Sequence, residues 1–253
     1  MIIRQERRTD HRATEELAFD AFWNLSEAGA KEPFIIHRVR TDASFIPELN
    51  LVAEADGKLV GHVMCERGKI VSDGGTEHEI LTFGPLCVSP ALQRGGIGGA
   101  LIEEVARIAT DMGFRALVLL GDWDYYSKRG FVPGEQFDIH MDGWYLDALQ
   151  VRELQPGALA GISGQYFDAM LPLLDDEAQA AFDATFPPRG LPTEEDKARY
   201  AADAAKYETA CRPARPEATP GAETPTSRTQ GLRAPKPLDT RADGPSRTRS
   251  RFV

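Results

Sequence analysis

Cysteine is scarce in this chain of 253 residues: three, at Cys65, Cys87 and Cys211. They are far apart, odd in number and form no CxxC pair, which excludes a disulfide framework and gives no zinc-site spacing. The five histidines are scattered without an HExxH pattern, so no metal is expected. No run approaches eighteen apolar residues, and the amino terminus MIIRQERRTDHR lacks the apolar core of a signal peptide. The expectation is a soluble, cytoplasmic protein with no membrane partner. No internal repeat of roughly 20–50 residues is visible, and no lysine stands where a GxxxxGK phosphate loop needs one.

Charge is present but uneven. The formal net charge is −10, yet from Arg212 to the end nine Arg and Lys face four Asp and Glu. The tail therefore carries +5 and the remainder −15. An acidic body argues against nucleic acid as the ligand of the folded part. The basic tail, rich in Pro, Arg, Thr, Ser and Gly, cannot bury enough apolar surface to offset chain entropy and is expected to be disordered over residues 212–253.

Ahead of the tail, apolar spacing alternates between strand and helix. MIIRQE reads as a strand and ATEELAFDAFWNLSE as an amphipathic helix with Leu17, Ala21, Phe22 and Leu25 on one stripe. PFIIHRVRT reads as a second, shorter helix. LNLVAEADGKLVGHVMCERGKI reads as a hairpin turning at Asp56-Gly57. VSDGGTEHE is a loop and ILTFGPLCVSP a strand closed by Pro90. A helix follows with Ile97, Leu101, Val105, Ile108 and Met112 at helical steps, ended by Gly113. RALVLLG reads as a strand buried on both faces. A short helix around Tyr125–Arg129 precedes strand-like pieces at Phe131 and Trp144–Val151, and TEEDKARYAADAAKYETAC reads as a charged surface helix. The class is mixed α/β around one sheet.

QRGGIGGALIEEV places Gly95, Gly96, Gly98 and Gly99 where that central helix begins. Each glycine inside a helix costs about 0.5–1 kcal/mol relative to alanine. A strand, a glycine turn and a helix start make an anion site, because the first helical N–H groups lack partners and the dipole favours negative charge. A dinucleotide fingerprint on Gly96 and Gly98 would need a small residue at 101, where Leu101 stands. The pattern Q/R-x-x-G-x-G/A fits Gln93, Gly96 and Gly98.

On that strand and helix, LCVSPALQRGGIGGALIEEVARIATDMGF resembles the coenzyme A-binding segment of the GNAT N-acetyltransferase superfamily, and YYSKRGF is similar to its later Y-x-x-x-G-F segment. FGPLCVSP and LNLVAEADGKLVGHV look most like a bacterial YhbS-like branch, as does LQVRELQPGALAGISGQ. The resemblance implies a GNAT domain over residues 1–152 with a C-terminal extension, 153–190, packed on it and a surface helix within 191–211. It implies a twisted mixed sheet whose fourth and fifth strands splay around acyl-CoA. Gly84-Pro85 supplies a local reason, since Pro85 has no N–H to give a ladder; an ordinary bulge is the plainer alternative.

The implied reaction is direct acetyl transfer from acetyl-CoA, as co-substrate, to a primary amine of a small molecule or peptide. The backbone of Leu86, Cys87 and Val88 would bind pantetheine, and Arg94, Gly95, Gly96, Ile97, Gly98 and Gly99 the diphosphate. Tyr126 falls on the tyrosine that commonly protonates the departing thiolate; packing on cofactor or core is its plainer role. Glu79, His78, Asp122 or water are the alternatives for the base. Cys87 reads as a small core residue rather than a nucleophile, His62 as structural, and Trp123 and Trp144 as core residues or acceptor-pocket lining. A non-catalytic acyl-CoA-binding regulatory module is the rival function, and a scaffold role of the basic tail a third. A homodimer is compatible with this reading.

Overall fold

The computed structural model describes residues 1–209 and 211–214, and only the backbone of 203–209. The chain begins with strand β1 (Ile2–Gln5), helices α1 (His11–Phe22) and α2 (Glu32–Val39), and strands β2 (Leu51–Ala55), β3 (Lys58–Val71) and β4 (Glu77–Val88). Helix α3 (Ile97–Asp111), strand β5 (Ala116–Leu120) and a single helical turn, α4 (Trp123–Tyr126), follow. Next come strands β6 (Val132–Pro133), β7 (Ile139–His140), β8 (Trp144–Leu146), β9 (Leu149–Glu153) and β10 (Gly164–Phe167). Helices α5 (Asp176–Asp183) and α6 (Glu194–Thr209) and strand β11 (Cys211–Pro213) complete the described part.

Nine strands form one sheet in the order β1-β2-β3-β4-β5-β9-β6, with β10 beside β3 and β7. Among the described residues only β4–β5 and β7–β10 are parallel. This is the expected mixed α/β architecture. The β2–β3 hairpin turns where Asp56 and Gly57 both take positive φ, 50° and 73°, as a two-residue turn matched to strand twist requires. Helix α3 ends in a Schellman motif: Phe114 N–H reaches Ala109 O and Gly113 N–H reaches Thr110 O, both at 3.0 Å.

Hydrophobic spacing explains the layers. Leu101, Ile102, Val105 and Ala109 of α3 pack on Leu51, Val63, Leu81, Phe83 and Leu117. In a second cluster, Leu17, Phe19, Phe22, Ile35, Ile36 and Val39 of α1 and α2 meet Met64, Cys87, Met170 and Phe186. Strand β3 runs 14 residues against five for β2. Beyond the end of β2, β10 pairs with β3 from Lys69 to Val71, so the segment after residue 153 contributes a strand to the sheet.

A buried ion cluster ties the first strand to the first two helices. Arg40 donates to Glu6 at 2.6 and 3.0 Å and to Glu15 at 2.6 Å. His62 lies in the same cluster, 2.6 Å from Asn50 Oδ1, and burial pushes its pKa down to about 4. It is a neutral structural histidine.

Three sequence expectations need correction. Helix α1 stops at Phe22, because the chain turns at Asn24 (φ 53°), whose side chain accepts from Gly29 N–H at 2.9 Å. Leu25 is thus off the buried stripe and 39% exposed. The loop before β4 is shorter than read, with Glu77, His78 and Glu79 already paired to β3. The basic tail does not lose structure at Arg212: Cys211–Pro213 pairs with β8, and Arg212 forms an ion pair with Glu135. Composition carries no signal for such a ladder. The rest of that tail, 215–253, lies outside the described residues.

Candidate active site

Strand β4 pairs with β5 only at Leu81–Leu117 and Thr82–Val118; from there the two strands part. At the fork the β3 register steps from Cys65–Phe83 to Val63–Leu86, so Gly84-Pro85 inserts one extra residue into β4. Bulge and splay therefore coincide. The extra residue also shifts the side-chain alternation: Leu81, Phe83, Leu86 and Val88 all pack toward α3, while Cys87 joins the α1–α2 cluster.

Ser89 N–H donates to Val60 O at 2.9 Å. Alternation along an antiparallel ladder then makes Cys87–His62 a hydrogen-bonded pair and turns the main-chain groups of Leu86 and Val88 toward the edge that β5 has left. Leu86 and Val88 are placed as a strand-like ligand would need them, although Val88 O also accepts from Gln93 Nε2 at 3.3 Å. Cys87 is not: its backbone is committed to β3. Its thiol is buried and pushed up to about 12, the state of an inert core cysteine.

The glycine turn is exposed through Gly96, which takes φ 88° immediately before α3. The first intrahelical bond runs from Ala100 N–H to Gly96 O. Among the described residues none accepts from the N–H groups of Gly96, Ile97, Gly98 or Gly99. Ile97 meanwhile buries its side chain under the sheet. At Gly98 a Cβ would collide with the Tyr125 hydroxyl and also meet Val88. The glycines thus serve separate ends, a left-handed turn at 96 and room for an aromatic neighbour at 98. Arg129 stacks 3.6 Å from the Tyr125 ring centroid and donates to Tyr125 O. Its Nε is buried without a partner among the described residues. Arg94 and Gly95 are exposed in the same turn. Free N–H groups, a helix N-terminus and a nearby guanidinium fit a diphosphate.

Tyr126 is positioned by small and capping residues. A Cβ at Gly121 would come within 2.5 Å of the Tyr126 ring. Asp122 caps the turn by accepting from Asp124 N–H at 3.0 Å. Gly130, at φ 78°, swings the chain so that Phe131 packs against Tyr126 and Phe83. Tyr125 and Tyr126 lie at 84° to one another, and only Tyr126 lines the cavity inside the fork. Burial raises its pKa well above the ordinary phenol value, and Tyr125 adds to the shift.

That cavity is narrow, with ≈ 50 Å³ of room for water-sized groups. Thr82–Leu86 and Leu119–Leu120 form the strand walls, and Lys31, Glu32 and Asp168 bring charge. Burial, helped by Glu27, pushes Glu32 up to about 7 against the pull of N–H donors from Glu32 and Lys31. Asp168 is also raised by burial, while accepting from Met170 N–H at 2.8 Å; the neighbouring Tyr166 hydroxyl and Leu171 N–H pull the other way.

The bases considered from sequence lie elsewhere. Glu79 is more than half exposed and paired with Arg67 at 2.7 Å. His78 bonds Ser72 at 3.0 Å, and Asp122 is an exposed cap. Trp123 and Trp144 are 43% and 37% exposed, neither core nor cavity lining. Glu32 and Asp168 were missed because a carboxyl entering a site from a helix start or a distant turn has no local pattern; Glu32-Pro33 signals only a helix beginning. Among the described residues no group of three or more His, Cys, Asp or Glu is placed to hold a metal, and no helix is long and apolar enough to cross a membrane.

Residues 13–131 match the model of the acetyltransferase (GNAT) family. The chain is 30% identical over 167 residues to YhbS of Escherichia coli (strain K12), an uncharacterized N-acetyltransferase, spanning 65% of this chain and 93% of that one. It is 34% identical over 106 residues to YjhQ, another uncharacterized N-acetyltransferase of that strain, spanning 41% of this chain and only 57% of YjhQ. The crystal structure of E. coli YhbS in complex with CoA is similar at TM-score 0.58 and 27% identity, covering 65% of this chain and 87% of that one. A GNAT acetyltransferase from Brucella melitensis in complex with acetyl-CoA is similar at TM-score 0.54 and 30% identity, covering 67% and 96%. A forked sheet, a glycine turn and relatives alike in sequence and fold agree: this chain belongs to the GNAT family of acetyltransferases, on its YhbS-like branch, and is an acyltransferase.

Proposed function

We propose that this protein transfers an acetyl group from acetyl-CoA directly to a primary amine of a small molecule or peptide. The observation that carries the reading is the fork, where Leu86 on the unpaired edge of β4 and Tyr126 line one cavity and the chain leaving β4 runs into the free N–H groups at the start of α3. The main-chain groups of Leu86 and Val88 pair with the amides of the pantetheine arm as a strand edge pairs with a peptide. Gly96 to Gly99 present N–H groups to the diphosphate, each charge-assisted bond contributing about 1.5–3 kcal/mol, enough together to outweigh the glycine penalty. The CoA-bound and acetyl-CoA-bound relatives support this use of the fork.

Acetyl-CoA supplies the acyl group activated as a thioester. Tyr126 donates its hydroxyl proton toward the departing sulfur; burial keeps that hydroxyl protonated at neutral pH, the form an acid needs. Direct attack is favoured over an acyl-cysteine route because burial raises both Cys65 and Cys87.

Free-thiol release from acetyl-CoA over a panel of primary amines tests the proposal. Tyr126→Phe should lower kcat by about 10²-fold while calorimetry finds the acetyl-CoA affinity unchanged. An unaltered rate removes the acid role. Binding without thiol release on any amine would instead leave an acyl-CoA-binding module.

A further inference from the structure

We propose that Glu32 is the catalytic base that takes the proton from the incoming ammonium group. This rests on the acetyl-transfer reading of the fork and adds to it the residue that selects a cationic amine and makes it nucleophilic. Glu32 stands at the first position of α2 and lines the same narrow cavity as Tyr126, Thr82, Phe83 and Leu86. Glu79, His78 and Asp122 are outside that cavity. The other carboxyl within it, Asp168, accepts from Met170 N–H of the following turn at 2.8 Å. A carboxylate offers about four acceptor positions. The nearby N–H groups of Glu32 and Lys31 draw its pKa down only in part, and lone pairs remain for a ligand in the cavity.

The acidity fits the task, since a base works best when its pKa lies near the operating pH, and burial brings Glu32 to about 7. The charged and titratable groups around it are Lys31 and Glu27 on its own segment, Cys87 on β4, Tyr126 on α4 and Asp168 after β10. Lys31 is paired with Glu27 at 3.0 Å.

The Glu32 carboxylate takes one proton from R–NH3+. The freed lone pair forms the C–N bond as the carbonyl π pair moves to oxygen. When that pair returns, the C–S bond breaks and the thiolate takes the Tyr126 proton. The tyrosinate regains a proton from the nitrogen, which keeps one hydrogen as the amide. Glu32 then releases its proton to solvent, so ammonium and acetyl-CoA become amide, CoA thiol and one proton.

The experiment compares the full-length wild type, Glu32→Gln and Glu32→Asp with acetyl-CoA and n-butylamine, putrescine, tyramine or glucosamine as acceptor. Wild-type kcat/KM should rise with pH through an inflection near the Glu32 pKa of about 7. Glu32→Gln should lose about 10²-fold or more together with that inflection, Glu32→Asp should recover part of the rate, and acetyl-CoA affinity should stay constant. Independently of turnover, carboxyl-carbon NMR of glutamate-labelled protein should show a resonance titrating near 7 that vanishes in Glu32→Gln. Glu66, also raised to about 7, is identified by its loss in Glu66→Gln. Rate and inflection retained in Glu32→Gln, or a Glu32 resonance titrating at the ordinary 4.5, overturns the assignment of Glu32 alone. No thiol release from the wild type with any of the four amines overturns the transfer reading and this proposal together.

Discussion

Replacing Glu66 by glutamine should make the protein less sensitive to alkali. Glu66 is fully enclosed, its Oε1 has no partner among the described residues, and its Oε2 lies 2.6 Å from Ser44 Oγ. The same Ser44 Oγ lies 2.7 Å from Asp42 Oδ1. One hydroxyl carries one hydrogen and cannot donate to two carboxylates. The consistent arrangement has Ser44 donating to Asp42 while a protonated Glu66 donates to Ser44. Burial first, then the charges of Asp168 and Asp42, push Glu66 up to about 7 against a reference of 4.5. Between these values the folded state holds a proton that the unfolded state has lost, so stability falls as pH rises through the window and levels off above it. Such a shift corresponds to about 3 kcal/mol in all, of which roughly 2–2.5 falls between pH 5 and pH 8. Glutamine keeps the shape and cannot ionise. Urea unfolding of both proteins at pH 5 and pH 8 reads the difference directly. Subtracting one protein from the other cancels Glu32, which has the same sign, and His62, whose lowered pKa costs stability only as pH falls below 6.5 toward about 4. The stability advantage of Glu66→Gln should grow by that amount from pH 5 to pH 8. An advantage independent of pH would refute the neutral buried carboxyl.

Gly96→Val should weaken acetyl-CoA binding at least about tenfold, roughly 1.4 kcal/mol, because no atom of the described residues lies within 4 Å of a Cβ there but φ is 88°. Arg94→Ala, removing an exposed charge, should change it less than about threefold; equal losses by calorimetry would contradict backbone recognition. Arg40→Ala should cost about 3–5 kcal/mol in denaturant unfolding by stranding Glu6 and Glu15 as buried carboxylates, and a loss below 1 kcal/mol would show the cluster to be solvated. Leu101→Ala, in the fully buried α3 interface, should cost about 2–5 kcal/mol by the same measurement.

Local chemistry in the sequence determined the elements and the glycine turn. Periodicity marked α3, Asp56-Gly57 marked the hairpin, Gly84-Pro85 marked the interruption in β4, and the glycine turn marked free helical N–H groups, because each depends on residues within one turn or ladder step. Only the tertiary structure decided which carboxyls share the cavity with Tyr126. Which edge of β4 carries the backbone of Cys87 depends on a register shared with β3. The cavity carboxyls come from α2 and from the turn after β10, far apart in the chain, and burial by neighbours from other elements sets their acidity. Pairing partners and desolvation belong to the folded assembly, so no local pattern in the chain could specify them.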